Sequence, residues 1–322
     1  MGDPSSRRHP DARTIPTVTP DERLERQPRA RLATLPTPLE RGPELPGGAR
    51  LWVKRDDLTG LGVGGNKARK LEFLCGEALQ AGARSLVTVG ADQSNHCRMT
   101  AAAGAVLGLD VHLVVSGDRP ERYEGNQLLS VLFGAQLHFV GCPPSHWGEL
   151  EIAREQVAAA LAADGAVPHS VPIGGSTATG ALGYVAAYLE LIEQCRAVGI
   201  DPAAVVFTSS SGGTHAGLVA GRALARSAGL GPLPGVLGVG VAKGVVGGYP
   251  EIASLAADTL VQLGFEPADA AAMIGPGGVE LDTRWLGDDY AVPTDEGDEA
   301  IGWAGRRGGW VLDGTYTGKG FA

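Results

Sequence analysis

The sequence predicts an α/β protein built on parallel sheets, and three observations carry that reading. From about residue 31 onward, short β-branched runs alternate with Ala/Leu-rich helical patterns. At 322 residues the chain is long enough for one large or two medium domains with a substantial core. Its 49 glycines suit tight strand-to-helix turns and loops whose backbone lines a ligand.

Residues 1–30 are rich in Pro and Arg, lack apolar periodicity and read as a flexible leader. The strand candidates then follow in order: "RLWVK" (50–54), "SLVTVG" (85–90), "VHLVVS" (111–116), "QLHFV" (136–140), "HSVPIG" (169–174), "AVVFTSS" (204–210) and "VLGVGVA" (236–242). Between several of them lie amphipathic stretches such as "CRMTAAAGAVLG" (97–108), "EIAREQVAAALAADG" (151–165) and "THAGLVAGRALARSAG" (214–229). There is no short internal repeat. In open α/β sheets ligands collect at the carboxyl ends of strands, so the strand-to-helix turns are where chemistry is to be sought.

Composition excludes several function classes. Lys plus Arg is 27 against 36 for Asp plus Glu, a net charge of −9, which argues against nucleic acid or an anionic membrane as the main partner. No apolar run reaches transmembrane length. Arg7 and Arg8 are not followed by an apolar signal core, so a cytoplasmic protein is expected. Cys75, Cys97, Cys142 and Cys195 are widely spaced, without a paired CxxC, and read as reduced thiols. The seven histidines lack metal-ligand spacing, so no metal is expected.

In "GVGGNKARKLEF" (62–73), the glycines and Asn66 read as a loop ending in a helix N-cap. Lys67 then shares a helical face with Leu71, Leu74 and Ala78, and Lys70 lies close to that face. A buried ammonium is costly unless it is paired or chemically used. The alternative is a lysine that snorkels to solvent from the first turn.

Three further turns stand out. "SSSGGTHAG" (209–217) has the composition of an anion cradle, with Ser211, Gly212, Gly213 and Thr214 opening a helix. It lacks the GxxxxGK[ST] order of a nucleotide P-loop, and an ordinary Gly-rich turn has the same composition. "DQSNHCR" (92–98) offers the Ser94 hydroxyl, the Asn95 amide and helix N-terminal N–H groups, suited to a carboxylate or phenolate oxygen, although capping alone would explain them. "GSTATGALGY" (175–184) follows another strand.

Two rivals are weaker. Gly60, Gly62 and Gly65 satisfy GxGxxG with Asp92 after the next strand, but a polar "RDDLT" separates the glycines from the preceding strand. Ser94 and His96 invite a hydrolase reading, but no GxSxG elbow surrounds the serine. A buried lysine, a phosphate cradle and a carboxylate clamp on one scaffold match the needs of a pyridoxal-phosphate enzyme, with the lysine holding the cofactor as a Schiff base. Lys70 would help hold the phosphate and lower the Lys67 pKa by like-charge repulsion.

These motifs make the chain similar to the 1-aminocyclopropane-1-carboxylate deaminase / D-cysteine desulfhydrase family, within the tryptophan synthase β-like (type II) pyridoxal-phosphate fold. The resemblance runs from "LPTPLE" (35–40) to the chain end through "LWVKRDDLTG", "GGNKARKLEF", "DQSNHCRMTAAAGA", "PIGGSTATGALGY", "SSSGGTHAGL", "YAVPT" and "YTGKG". It implies Lys67 as the cofactor lysine and Asn95 at the ring hydroxyl. Ser94 would meet the substrate carboxylate or take part in proton transfer. Lys70, Ser211, Gly212, Gly213 and Thr214 would hold the phosphate, and Tyr290 and Tyr316 would lie near a small amino-acid substrate.

Two positions distinguish the branches. Deaminase members have Cys where this chain has Gly175, and Glu near the pyridine nitrogen where it has Thr317, whose hydroxyl is then the nearby cofactor-binding candidate. Both departures imply the desulfhydrase branch, with β-elimination of sulfide from D-cysteine to give pyruvate and ammonia. The alternatives are ring-opening deamination of the cyclopropane acid and elimination from a related amino acid such as cysteate. The resemblance further implies a homodimer and two α/β domains with the cofactor between them. The larger domain would combine residues 31–66 and 178–322, and residues 67–177 would form the smaller insert. Relatives continue past "YTGKG" into a helix and an "HTGG"-type segment, whereas this sequence ends at Ala322, so a fragment or a site without that segment is expected.

Overall fold

The computed structural model describes residues 18–242 and 251–322. Two parallel sheets organise the chain. The first has the order β5-β4-β3-β6, from Gln136–Phe139, Asp110–Val115, Ser85–Gly90 and Pro168–Ser170. The second has the order β7-β8-β9, from Ala204–Ser209, Gly235–Gly240 and Glu280–Asp282. A short antiparallel pair, β1 (Leu39–Arg41) with β2 (Trp52–Lys54), precedes both. Each of the seven strand stretches predicted from sequence overlaps a strand, while β1 and β9, of three residues each, carry too little pattern to be read.

Helices cross between the strands: α2 (Lys67–Gln80), α3 (Asn95–Leu107), α4 (Gly125–Leu132), α5 (Trp147–Ala163), α6 (Ala178–Val198) and α7 (Gly213–Ser227). After β8 come α8 (Ile252–Gln262) and α9 (Pro267–Ile274), and after β9 come α10 (Asp295–Gly308) and α11 (Thr317–Phe321). Their ends follow local chemistry. Ser94 caps α3 by accepting from Cys97 N at 3.2 Å, and Thr177 caps α6 by accepting from Gly180 N at 3.0 Å. Among the described residues no helix is long and apolar enough to cross a membrane.

Within the stretch expected to be a flexible leader, residues 18–30 are folded onto the body, and residues 1–17 lie outside the described residues. Thr19 and Glu22 close a capping box that starts a short helix, α1 (Pro20–Glu25), and Leu24 is buried. Arg29 then donates two hydrogen bonds to the buried Glu72 on α2, at 2.6 and 2.9 Å. A single helical turn shows no period, so the pattern concealed it.

Helix α2 has two apolar sides rather than one. Leu71, Leu74, Cys75 and Ala78 join a cluster with α3 and the first sheet, whereas Phe73 joins the cluster of α6, α7 and α8. Gly183 on α6 permits this approach, because a Cβ there would lie 2.2 Å from the Arg69 carbonyl oxygen. Burying α2 also buries its charges. Arg69 is 1% exposed. It donates to Asp56 at 2.8 Å from both Nε and Nη2, to Glu190 at 2.9 and 3.1 Å, and to Thr37 Oγ1 at 3.0 Å. Tyr184 and Lys54 add donors to Asp56 and Glu190 respectively. Burial works against the Arg69 charge, but Glu190 and Asp56 outweigh it and raise its pKa.

Candidate active site

The three turns singled out from sequence meet the first turn of α2. Lys67 is half-buried, and its Nζ donates to Asn66 Oδ1 at 3.2 Å. Asn66 stands at the N-cap position, as expected, but uses its side chain on the lysine and makes no capping bond to the helix. Its Nδ2 continues to Thr214 Oγ1 at 3.4 Å, which links Lys67 to the Gly-rich turn. Burial pushes the Lys67 amine down to about 8, while the charge of Asp313 works in the opposite direction. The expected repulsion between the two amines is present, and burial is the larger cause for both. Burial first, and then Lys67, hold the Lys70 amine well below the usual lysine range.

Lys70, 1% exposed, donates to the Gly174 carbonyl at 2.8 Å. Among the described residues no carboxylate forms an ion pair with Lys67 or Lys70. Facing Lys70 is the start of α7. A Cβ on Gly213 would lie 2.6 Å from Lys70 Nζ and 2.9 Å from Ser176 Oγ, so only glycine lets this backbone come so close. Gly212 supplies the left-handed turn at φ 84°. Gly213 N donates to Ser176 Oγ at 3.3 Å, and the Ser176 hydroxyl donates to Ser211 Oγ at 2.9 Å. The result is a recess of helix N-terminal N–H groups, hydroxyls and a buried amine without a counter-charge among the described residues. Such a donor set fits a phosphate group, and the amine of Lys67 beside it fits an aldehyde-bearing cofactor.

Ser94 and Asn95 open α3. Because the Ser94 oxygen accepts from Cys97 N, its hydroxyl proton stays available to donate. His96 turns inward instead, with Nε2 2.8 Å from Thr88 Oγ1 and Nδ1 without a partner among the described residues. Burial, with the charges of Lys67 and Lys70, holds its pKa well below the ordinary histidine value. It is not paired with Ser94, which removes the hydrolase reading. Gly60, Gly62 and Gly65 lie in an irregular loop between β2 and α2 rather than at a strand end, which removes the dinucleotide reading. Among the described residues no three His, Cys, Asp or Glu side chains converge as a metal site, and all four cysteines are buried and free.

Tyr290 and Tyr316 share a hydroxyl–hydroxyl hydrogen bond, with ring centroids 5.9 Å apart. Trp147 packs edge-on against Tyr290 at 4.9 Å. Burial pushes Tyr290 up to about 12 and Tyr316 well above its usual value, so both stay protonated at neutral pH. Thr317, the hydroxyl candidate for the pyridine nitrogen, is engaged by Asp313. Its Oγ1 accepts from Asp313 N at 2.7 Å and donates to Asp313 Oδ2 at 2.6 Å. The Asp313 carboxylate also accepts from the backbone N–H groups of Thr315, Tyr316 and Thr317.

Sequence reasoning missed Asn66 as the lysine's partner, Ser176 in the cradle, Trp147 behind Tyr290 and Asp313 near Lys67. Ser176 stood inside "GSTATG", and its place after a strand was the available signal. Asp313 and Trp147 carried none.

Comparisons with known proteins agree with this chemistry. The family described as "Pyridoxal-phosphate dependent enzyme" matches residues 30–322. A D-cysteine desulfhydrase of Salmonella typhi is 38% identical over 312 residues, covering 94% of this chain and 89% of the relative. A crystal structure of an "ACC deaminase homologue" superimposes with a TM-score of 0.81 at 34% identity, covering 94% of this chain and 87% of that one. A threonine deaminase from T.th. shares the fold at 24% identity, with a TM-score of 0.55 and coverage of 87% and 83%. The chain has the type II fold and belongs to the pyridoxal-phosphate dependent enzymes, in the 1-aminocyclopropane-1-carboxylate deaminase / D-cysteine desulfhydrase family.

Proposed function

We propose that this protein is a D-cysteine desulfhydrase, a carbon–sulfur lyase that releases sulfide, pyruvate and ammonia. The observation that carries the reading is the Lys67 amine, joined through Asn66 to the glycine turn that faces the buried Lys70. Bound pyridoxal phosphate would supply the electron sink for the carbanion at the substrate Cα. Lys67 would hold the cofactor, and Lys70, Ser211, Gly212, Gly213 and Thr214 would hold its phosphate. Asn95 would meet the ring oxygen and Ser94 would donate to the substrate carboxylate. Lys67 would also be the base for the Cα proton, and an amine lowered toward neutrality is suited to that task. The tyrosine pair has two hydroxyl protons and one is shared between the rings, which leaves one to follow the departing sulfur.

Gly175 supports sulfide elimination over ring opening. Its φ is +60°, and a Cβ there would lie 2.8 Å from Leu74 Cδ1, so the cysteine of deaminase members would strain this turn. The solved "ACC deaminase homologue" favours ring opening as the second reading. Steady-state rates decide between them: sulfide release from D-cysteine should exceed 2-oxobutanoate formation from the cyclopropane acid, and the reverse order would exchange the two. Borohydride reduction and peptide mapping should find the cofactor on Lys67.

The same reading includes a cytoplasmic homodimer. The dimer is supported by Leu128, Val131 and Leu132, which line one exposed face of α4 at helical spacing. Sedimentation should give twice the mass of one chain. It also includes the division into a large domain of residues 31–66 and 178–322 and a small one of residues 67–177, which the two separate sheets support.

A further inference from the structure

Arg98 is 6% exposed and pairs with no carboxylate among the described residues, yet its guanidinium joins two sides of the site. Its Nη1 donates to the Gly62 carbonyl at 2.5 Å, and its Nη2 donates to the Gly64 carbonyl at 3.1 Å, in the loop that leads into Lys67. The same Nη2 reaches Asn95 Oδ1 at 3.3 Å. From α4, Asn126 Nδ2 donates to that same Asn95 oxygen at 3.0 Å and to the Gln93 carbonyl at 2.8 Å. Asn126 N donates in turn to Gln93 Oε1 at 2.8 Å, which fixes the start of α4 against this turn.

The chemistry of these partners leaves no freedom in how the amides face. A guanidinium only donates, so the Asn95 atom beside Arg98 is its oxygen. A backbone carbonyl only accepts, so the Asn126 atom beside Gln93 is its nitrogen, and that nitrogen also faces Asn95. Two independent donors thus hold Asn95 Oδ1, and Asn95 Nδ2 makes no hydrogen bond to any described residue.

We propose that Arg98 and Asn126 are positioning residues that clamp the Asn95 amide by its oxygen, so that its N–H donors face the cofactor's ring oxygen. The inference rests on the role given to Asn95 above. A donor there would stabilise the ring oxygen as an anion and so favour the deprotonated form of the bound cofactor. An acceptor in its place would do the opposite, so the clamp sets the protonation state of the bound cofactor as well as its seat. Because Arg98 also holds the glycine loop, the same side chain fixes the Asn95 turn against the residues that precede Lys67.

The test is the pH midpoint of the bound cofactor's visible absorbance in the full chain, at equal cofactor content. Losing the donor favours the protonated form, so Asn95→Leu should raise the midpoint by about one unit. Asn126→Ala changes no charge and should raise it in the same direction, by about half as much. In an Asn95→Leu background, Asn126→Ala should add nothing, because it acts only through that amide. Arg98→Met should follow the same pattern; if that variant does not fold, Asn126→Ala decides alone. An unmoved midpoint in Asn126→Ala, or an equal shift in both backgrounds, overturns the inference while Lys67 still carries the cofactor. Failure of Lys67 to take up the cofactor at all overturns the parent reading, and this inference with it.

Discussion

Two buried cations sit next to each other on α2 and have opposite surroundings. Arg69 is enclosed by Asp56, Glu190 and Thr37, with every bond in hydrogen-bonding range. Lys70, equally buried, meets a carbonyl, a glycine turn and the Lys67 amine, and no carboxylate among the described residues. The first arrangement balances charge within the chain and ties β2, α2 and α6 together. The second leaves positive charge and open donors facing a recess. A buried charge that is compensated belongs to the scaffold, and one left uncompensated marks where an anion is to come.

Removing the amine that the site is built around should have the largest effect. Lys67→Ala should lose the covalent attachment and reduce sulfide release by at least about 10⁴-fold, because the proposed function gives this amine the roles of both nucleophile and base. Circular dichroism should show the fold intact. Next comes Arg69→Met, which strands Asp56 and Glu190 and should cost about 3–5 kcal/mol in urea unfolding. Lys70→Met should invert the sign. Losing an unpaired buried amine should stabilise the cofactor-free protein slightly, while cofactor affinity falls about 10–100-fold because a charge-assisted contact to phosphate is gone. If Lys70→Met destabilised the cofactor-free protein as much as Arg69→Met does, the contrast between the two sites would collapse.

The most gradual effect concerns pH. The Lys67 pKa is about 8 folded against 10.5 as the ordinary value, so between those limits the unfolded chain binds the extra proton. Stability of the cofactor-free protein should therefore rise with pH across that window, by at most about 1.4 kcal/mol per unit from this group. Below pH 8 the lysine is protonated in both states and the slope from it vanishes. Subtracting the profile of Lys67→Met isolates the contribution. A difference profile that is flat from pH 8 to 10.5 would show that Lys67 is solvated, as a snorkelling lysine would be.

The contrast also marks what could be read before any coordinates. Strand–helix alternation and the three polar turns were legible because apolar period and turn composition are local properties of sequence. Lys67 was legible as an inward residue through Leu71, Leu74 and Ala78 at helical spacing. Which cations of α2 are compensated was not, because Asp56 and Glu190 reach Arg69 from 13 and 121 residues away along the chain. The Asn95 amide was legible as a polar group at a helix start, but its direction depended on Asn126, 31 residues on, in a different helix. The partner of Thr317 was hidden for the same reason: its hydroxyl donates to Asp313, and an aspartate in "VLDGTYTGKG" announces nothing of that bond.

Helix α2, with one side in each apolar cluster, has a kinetic consequence. Its amides can exchange with solvent only when both clusters release it together, because Phe73 holds one side while Leu71, Leu74 and Ala78 hold the other. Its middle should therefore exchange deuterium only through global unfolding, and rank among the slowest segments of the chain. The first turn, where Lys67 sits among open donors, lies at the edge of that slow core. The Lys67 amine is thus attached at the edge of a segment expected to open late, so thermal fluctuations that loosen peripheral loops should disturb its position little.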